Sequence, residues 1–284
     1  MHRILIAVLA LALPALATAQ GSASAIEKIR STKTVTMAYR TNALPFSFKD
    51  PSGQPAGYTV ELCKRIAASM ASQLKISGLE IKWVEATSQN RFELVEKRKV
   101  DMECGATTAT LKRMERVDFS SYVFVDSTGV LVSVAAGIKS FSDLAGKRVA
   151  VIAGTTNEKA LKGALKRGLV DAEVVPHKSR DSAIAALEAG TVEAFASDKI
   201  LLEGIARKLK DARNYGLLRD DLSIEPYAIM LPRGDSALRL EVNRALSQVF
   251  SSAAIKDIFQ RTFGNDIEPS PMLVALYTIG FIPE

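Results

Sequence analysis

Histidine is nearly absent from this chain: His2 and His177 are the two in 284 residues. Cysteine is as scarce, with Cys63 and Cys104 and no C-x-x-C pair. Zinc needs clustered imidazoles or thiolates, so no metal site is expected. The commonest general base is missing from every promising stretch, and no motif for an organic cofactor appears. Basic residues are scattered rather than gathered in a stripe, which leaves no footprint for nucleic acid. The apolar run Ile4 to Ala17 is too short to favour a membrane-spanning helix.

That run has another reading. A positive start at Met1-His2-Arg3, the apolar stretch, and an A-x-A site at Ala17-Thr18-Ala19 form a secretory signal peptide over residues 1–19. The residue directly after the cleavage point is Gln20 rather than a cysteine, so the expectation is a soluble exported protein, periplasmic where the cell has an outer membrane. About 265 residues then remain, enough for one large or two medium domains. Hydrophobic content of 48% and charged content of 24% are those of a globular protein. The formal charge of +6 falls to +5 when Arg3 leaves, a modest help in attracting anions. In an oxidising compartment Cys63 and Cys104 are able to pair. One falls on an expected helix and the other ends an expected strand, so the sequence leaves the pairing open.

Strand and helix patterns alternate, which indicates an α/β protein. Thr34 to Tyr39 alternates as a strand and ends at Arg40, followed by a loop rich in proline, glycine and asparagine. Cys63, Ile66, Ala67, Met70 and Leu74 then repeat at helical spacing. Ligands in open α/β sheets sit outside the carboxyl ends of strands, the position Arg40 occupies.

The densest functional signal lies between Thr87 and Ser120. A helix is expected from Thr87-Ser88 to about Lys99, then a strand from Val100 to Cys104 and a hydroxyl-rich turn leading to Arg113. Helix starts offer free N–H groups, hydroxyls add hydrogen bonds, and arginine grips a carboxylate with two prongs. Arg91 and Arg113, with Ser88 and Thr108, therefore form half of a candidate site for a small acid. Taken singly, such residues are more often surface charges and caps. A second group follows the strand Val149 to Ala153, where Thr155 and Glu158 have capping-box spacing beside Thr156. These residues alone favour a plain helix cap over an anion site. Asp198 follows a third strand, Val192 to Ala196; taken alone it suits an N-cap for the next helix, with acceptor sites to spare.

The run D-x-E-C-G-x-T-T-x-x-x-x-R from Asp101 to Arg113, with T-S-Q-N-R before it and Phe119-Ser120 after it, resembles the glutamate/aspartate-binding proteins of bacterial ABC importers. These form a branch of the periplasmic polar amino-acid-binding proteins, and YRTNALPFSF resembles the family's first-strand motif. The resemblance implies a two-lobed periplasmic binding protein fold with two crossing strands as hinge. Lobe 1 would comprise 20–129 plus 230–284, and lobe 2 residues 130–229. It further implies a monomer that delivers an acidic amino acid to a membrane permease. Arg113 and Thr108 would hold the α-carboxylate and Asp198 the ammonium. Arg40 and Arg91 with Ser88 would meet a side-chain carboxylate, and Thr156 would reach in from lobe 2. One stretch departs from the pattern: Ser179-Arg180-Asp181-Ser182 stands where acidic-amino-acid binders carry His-Gly-Asp-Ser. Arg180 either supplies side-chain recognition or signals a shifted preference. The rival classes are an enzyme on the same fold, such as a cyclohexadienyl dehydratase with Glu103 as its acid or base, and a sensory binder.

Overall fold

The computed structural model describes residues 24–207 and 209–284. The leader assigned to residues 1–19 lies outside them. Two five-stranded sheets organise the chain. The first runs in the order Glu80–Ala86, Thr34–Arg40, Met102–Glu103, Glu225–Pro232, Val117–Asp126. The second runs Glu173–His177, Arg148–Ile152, Ala194–Asp198, Thr128–Ser133, Tyr215–Leu217. In each sheet the first three strands are parallel and the last two join antiparallel. The inner parallel strands are buried throughout because helices cover both faces: every residue from Val35 to Arg40 and from Ala194 to Asp198 is buried, with the charged Arg40 and Asp198 at the strand ends.

The helix Tyr58–Gln73 shows how the first lobe is seated. Tyr58, Leu62, Cys63, Ile66 and Met70 are fully buried on one stripe, while Leu74 ends the helix half-buried. Gly57 precedes it at φ 117°, where a Cβ would stand 2.5 Å from the Phe46 carbonyl oxygen, so only glycine fits. Phe46 makes edge-on contacts with Tyr58, Phe124, Tyr227 and Phe263 at ring separations of 4.8–6.0 Å. That cluster ties the loop after the first strand to both chain crossings. Cys63 and Cys104 form a disulfide with their Cα atoms 6.3 Å apart, which resolves the pairing the sequence left open. The bond anchors the helix to the start of the 104–110 loop. The C-terminal helices Ser236–Phe250, Ala254–Phe263 and Pro271–Gly280 bury Leu238, Ile258 and Leu273 in the same core. Among the described residues no helix is long and apolar enough to cross a membrane.

The crossings differ from expectation by a few residues. The first was expected near Val130, yet Thr128 and Gly129 already pair with Asp198 and Ser197 in the second sheet. The chain crosses at Ser127, between strands Val117–Asp126 and Thr128–Ser133, so the polar break in the apolar pattern is the crossing itself. The return strand enters the first sheet at Glu225, paired with Asp126, ahead of the expected lobe boundary after residue 229. Residues 225–229, assigned to lobe 2 from sequence, thus belong to the first sheet. The expected helix from Thr87 to Lys99 is shorter, Arg91–Glu96. Thr87 and Asn90 exchange side-chain-to-backbone hydrogen bonds of 2.7 and 3.2 Å, which hold Ser88 in a turn ahead of the helix rather than at its cap.

Candidate functional site

A polar cavity lies where the carboxyl ends of the two sheets face each other. Arg40, Ser88, Arg91 and Thr108 line it from one lobe, and Thr156, Asn157, Arg180 and Asp198 from the other. Six of the seven residues singled out from sequence are on its wall. Arg113 stands behind that wall. Its Nη1 donates to the Thr108 carbonyl at 2.7 Å and its guanidinium lies 5.2 Å from the centre of the Phe92 ring. There it braces Thr108 and adds positive charge.

Arg40 ends the first strand, and its backbone N–H is held by Ser47 Oγ at 2.9 Å. The side chain is 5% exposed, and Nε has no hydrogen-bond partner among the described residues. Burial, followed by repulsion from Arg91 and Arg180, lowers its pKa to about 9, so the group stays charged at neutral pH. Arg91 donates from Nη1 to Thr107 Oγ1 at 2.6 Å and to the Ala106 carbonyl at 3.1 Å. Its Nε is likewise buried without a partner among the described residues. Thr107 passes its own hydrogen to Glu103 Oε2 at 2.7 Å. Glu103 is fully buried and is not on the cavity wall. A Cβ at the neighbouring Gly105 would stand 2.1 Å from Glu103 Oε1, so a side chain there would push that carboxylate aside.

In the second lobe Thr155 caps the helix Thr156–Gly168, accepting from the Glu158 backbone at 3.3 Å. Glu158 returns its bond to the Gly154 N–H at 2.8 Å, so the capping box closes one residue earlier than its spacing suggests. With capping done by Thr155, the Thr156 hydroxyl is free to face the other lobe. Asp198 precedes the helix Lys199–Ala206 but makes no side-chain cap bond, so its carboxylate also serves the cavity. It accepts from Asn157 Nδ2 at 3.3 Å, and burial followed by the charge of Glu225 raises its pKa. Asp126, at the crossing, is pushed up to about 8 by loss of hydration and then by Asp198.

Sequence reasoning missed Glu225. It is 1% exposed and takes hydrogen bonds from Thr108 at 2.6 Å and Thr156 at 2.7 Å on one oxygen, and from Ser223 and Thr128 on the other. One carboxylate thereby joins hydroxyls of both lobes. A lone acid before the apolar run Tyr227–Leu231 carries no signal of this. Ser179, which takes the place of a histidine in the resembled pattern, caps the helix Arg180–Glu188 by accepting from the Ser182 N–H at 3.2 Å. Arg180 beside it is 8% exposed and donates across the cleft to the Asn42 carbonyl at 2.6 Å. On the cavity wall three arginines, Arg40, Arg91 and Arg180, face one carboxylate, Asp198, a formal surplus of two positive charges, with Arg113, Glu103 and Glu225 standing behind the wall.

Two α/β lobes that turn strand ends, a helix start and buried charges onto one shared cavity define a binding protein that closes over a small polar molecule. Residues 35–265 match the bacterial extracellular solute-binding proteins, family 3, and the chain belongs to that family. It is 32% identical over 264 residues to the L-glutamate/L-aspartate-binding protein of Pseudomonas aeruginosa, covering 93% of this chain and 87% of that one. It is 31% identical to the glutamate/aspartate import solute-binding protein of Escherichia coli, covering 93% and 89%. Among solved structures it is similar to an ancestral amino acid-binding protein described as a precursor of cyclohexadienyl dehydratase. The TM-score there is 0.72 at 26% identity, over 84% of this chain and all of that one.

Proposed function

We propose that the protein captures glutamate or aspartate between its lobes and delivers it to an ABC permease in the membrane. The observation that carries this reading is the surplus positive charge in a buried cavity. A free neutral amino acid is a zwitterion and needs one cation and one anion. Here Arg40, Arg91 and Arg180 approach closely enough to depress the Arg40 pKa, and each keeps a buried Nε without a partner among the described residues. A ligand with net charge −1 offsets part of the formal surplus on the cavity wall, and a neutral amino acid offsets none of it. Thr108, braced from behind by Arg113, receives the α-carboxylate, Asp198 the ammonium, and Arg40 and Arg91 with Ser88 the side-chain carboxylate. Thr156 contacts the ligand from the second lobe.

Contacts from both lobes make closure depend on ligand, since binding favours the closed form by its differential affinity. The closed form is what the permease recognises. Export through residues 1–19 brings the protein, as a monomer, to the periplasm. The two glutamate/aspartate-binding relatives support the ligand class. The position of Glu103, bonded to Thr107 away from the cavity, supports a binder over a dehydratase.

Calorimetric titration of refolded, ligand-stripped protein with glutamate, aspartate, glutamine, asparagine, arginine and histidine tests the reading. Tight binding confined to the two acids is expected. Preference for a neutral or basic amino acid would overturn the acidic assignment, and turnover of prephenate or arogenate would overturn the binding-only role.

A further inference from the structure

Arg180 stands between two cavities. One is the candidate ligand site, which it lines with Arg40, Arg91 and Asp198. The other, about 250 Å³, lies between Asn42, Leu44 and Phe48 of the first lobe and Ile184 and Ile205 of the second. The side chain is 8% exposed, and one bond, Nη1 to the Asn42 carbonyl at 2.6 Å, holds it across the cleft. Its Nε is buried with no partner among the described residues. A guanidinium this buried and this sparsely bonded lacks an acceptor, and a carboxylate fits its fork in a way a neutral amide does not.

We propose that Arg180 is a specificity-determining residue of the site. It closes the end of the ligand cavity and selects a ligand with a side-chain carboxylate, while keeping longer, uncharged side chains out of the adjoining space. The proposal rests on the acidic-ligand reading above and adds a residue from the second lobe to the two arginines of the first. Two physical effects are combined: a charge-assisted hydrogen bond to the ligand and a wall between two cavities.

The test compares wild type with Arg180→Met and Arg180→Gln, titrated with glutamate, glutamine and γ-N-ethylglutamine. Circular dichroism checks folding, and Arg180→Gln, which keeps a polar side chain, serves if the methionine variant is unstable. Glutamate affinity is expected to fall about 10- to 100-fold, as for loss of one charged hydrogen bond. Glutamine affinity should change less than about threefold, because the amide never used the charge. The N-ethyl amide, excluded by wild type, should now bind. Equal losses for glutamate and glutamine would reduce Arg180 to a latch on Asn42 and overturn the proposal while leaving the acidic reading intact. Failure of wild type to bind glutamate overturns the acidic reading itself.

Discussion

Replacing Asp198 with asparagine separates the needs of the ligand from those of the empty protein. The carboxylate is 7% exposed and accepts from Asn157 at 3.3 Å. In the proposed complex it is the anion that meets the ligand ammonium. Removing one partner of a buried ion pair costs about 3–5 kcal/mol, because the remaining charge stays desolvated. At 1.4 kcal/mol per decade, that is about 100- to 4,000-fold in affinity. The unliganded protein should respond in the opposite sense. Burial and Glu225 both raise the Asp198 pKa, and Asp198 in turn raises that of Asp126, so a neutral amide relieves crowding among the three acids. Calorimetry should therefore show a large loss of glutamate affinity, and a thermal melt without ligand should show a midpoint equal to or above wild type. A loss under tenfold, or a lowered midpoint without ligand, would refute the assignment of Asp198 to the ammonium.

Glu225→Gln removes the charge that joins Thr108 to Thr156, and should weaken glutamate and aspartate alike by about 1–3 kcal/mol, because it acts on closure rather than selection. Calorimetry on both ligands checks this. Asp126, raised to about 8, holds a proton in the folded protein that the unfolded chain releases near its ordinary value. Its contribution is therefore fully present at low pH and lost as pH rises through about 8, and thermal melts of unliganded Asp126→Asn from pH 5 to 9 should decline less than wild type. Removing the disulfide with Cys63→Ala and Cys104→Ala reopens a loop spanning 41 positions and should cost about 3–4 kcal/mol in urea unfolding. A loss below 1 kcal/mol would contradict the anchoring role given to that bond.

Residues that announce themselves locally were legible in the sequence. Arg40 closes an alternating strand, Thr155 sits at capping spacing ahead of Thr156, and Asp198 follows an apolar strand; each of these patterns lies within a few residues. Long-range features were not legible. Glu225 gains its meaning from Thr108, Thr128 and Thr156, which lie far from it in the chain and meet only when both crossings are built. The disulfide depends on a helix and a loop coming within 6.3 Å, which no spacing encodes. The helix at Arg91 is shorter than its sequence suggests, where Thr87 and Ser88 look like caps. The Thr87–Asn90 exchange of hydrogen bonds forms a turn there instead. Arg113 belongs to the site's charge but not to its wall, a distinction set by the Phe92 ring and the Thr108 carbonyl.

Glutamate and glutamine have nearly the same shape and differ by one charge, so their relative affinity for the refolded wild-type protein measures what the surplus arginine charge does. The account predicts that glutamate binds at least about 100-fold more tightly, the equivalent of one well-made buried charge pair. Equal affinities, or a preference for glutamine, would contradict the claim that this cavity is built for an acid.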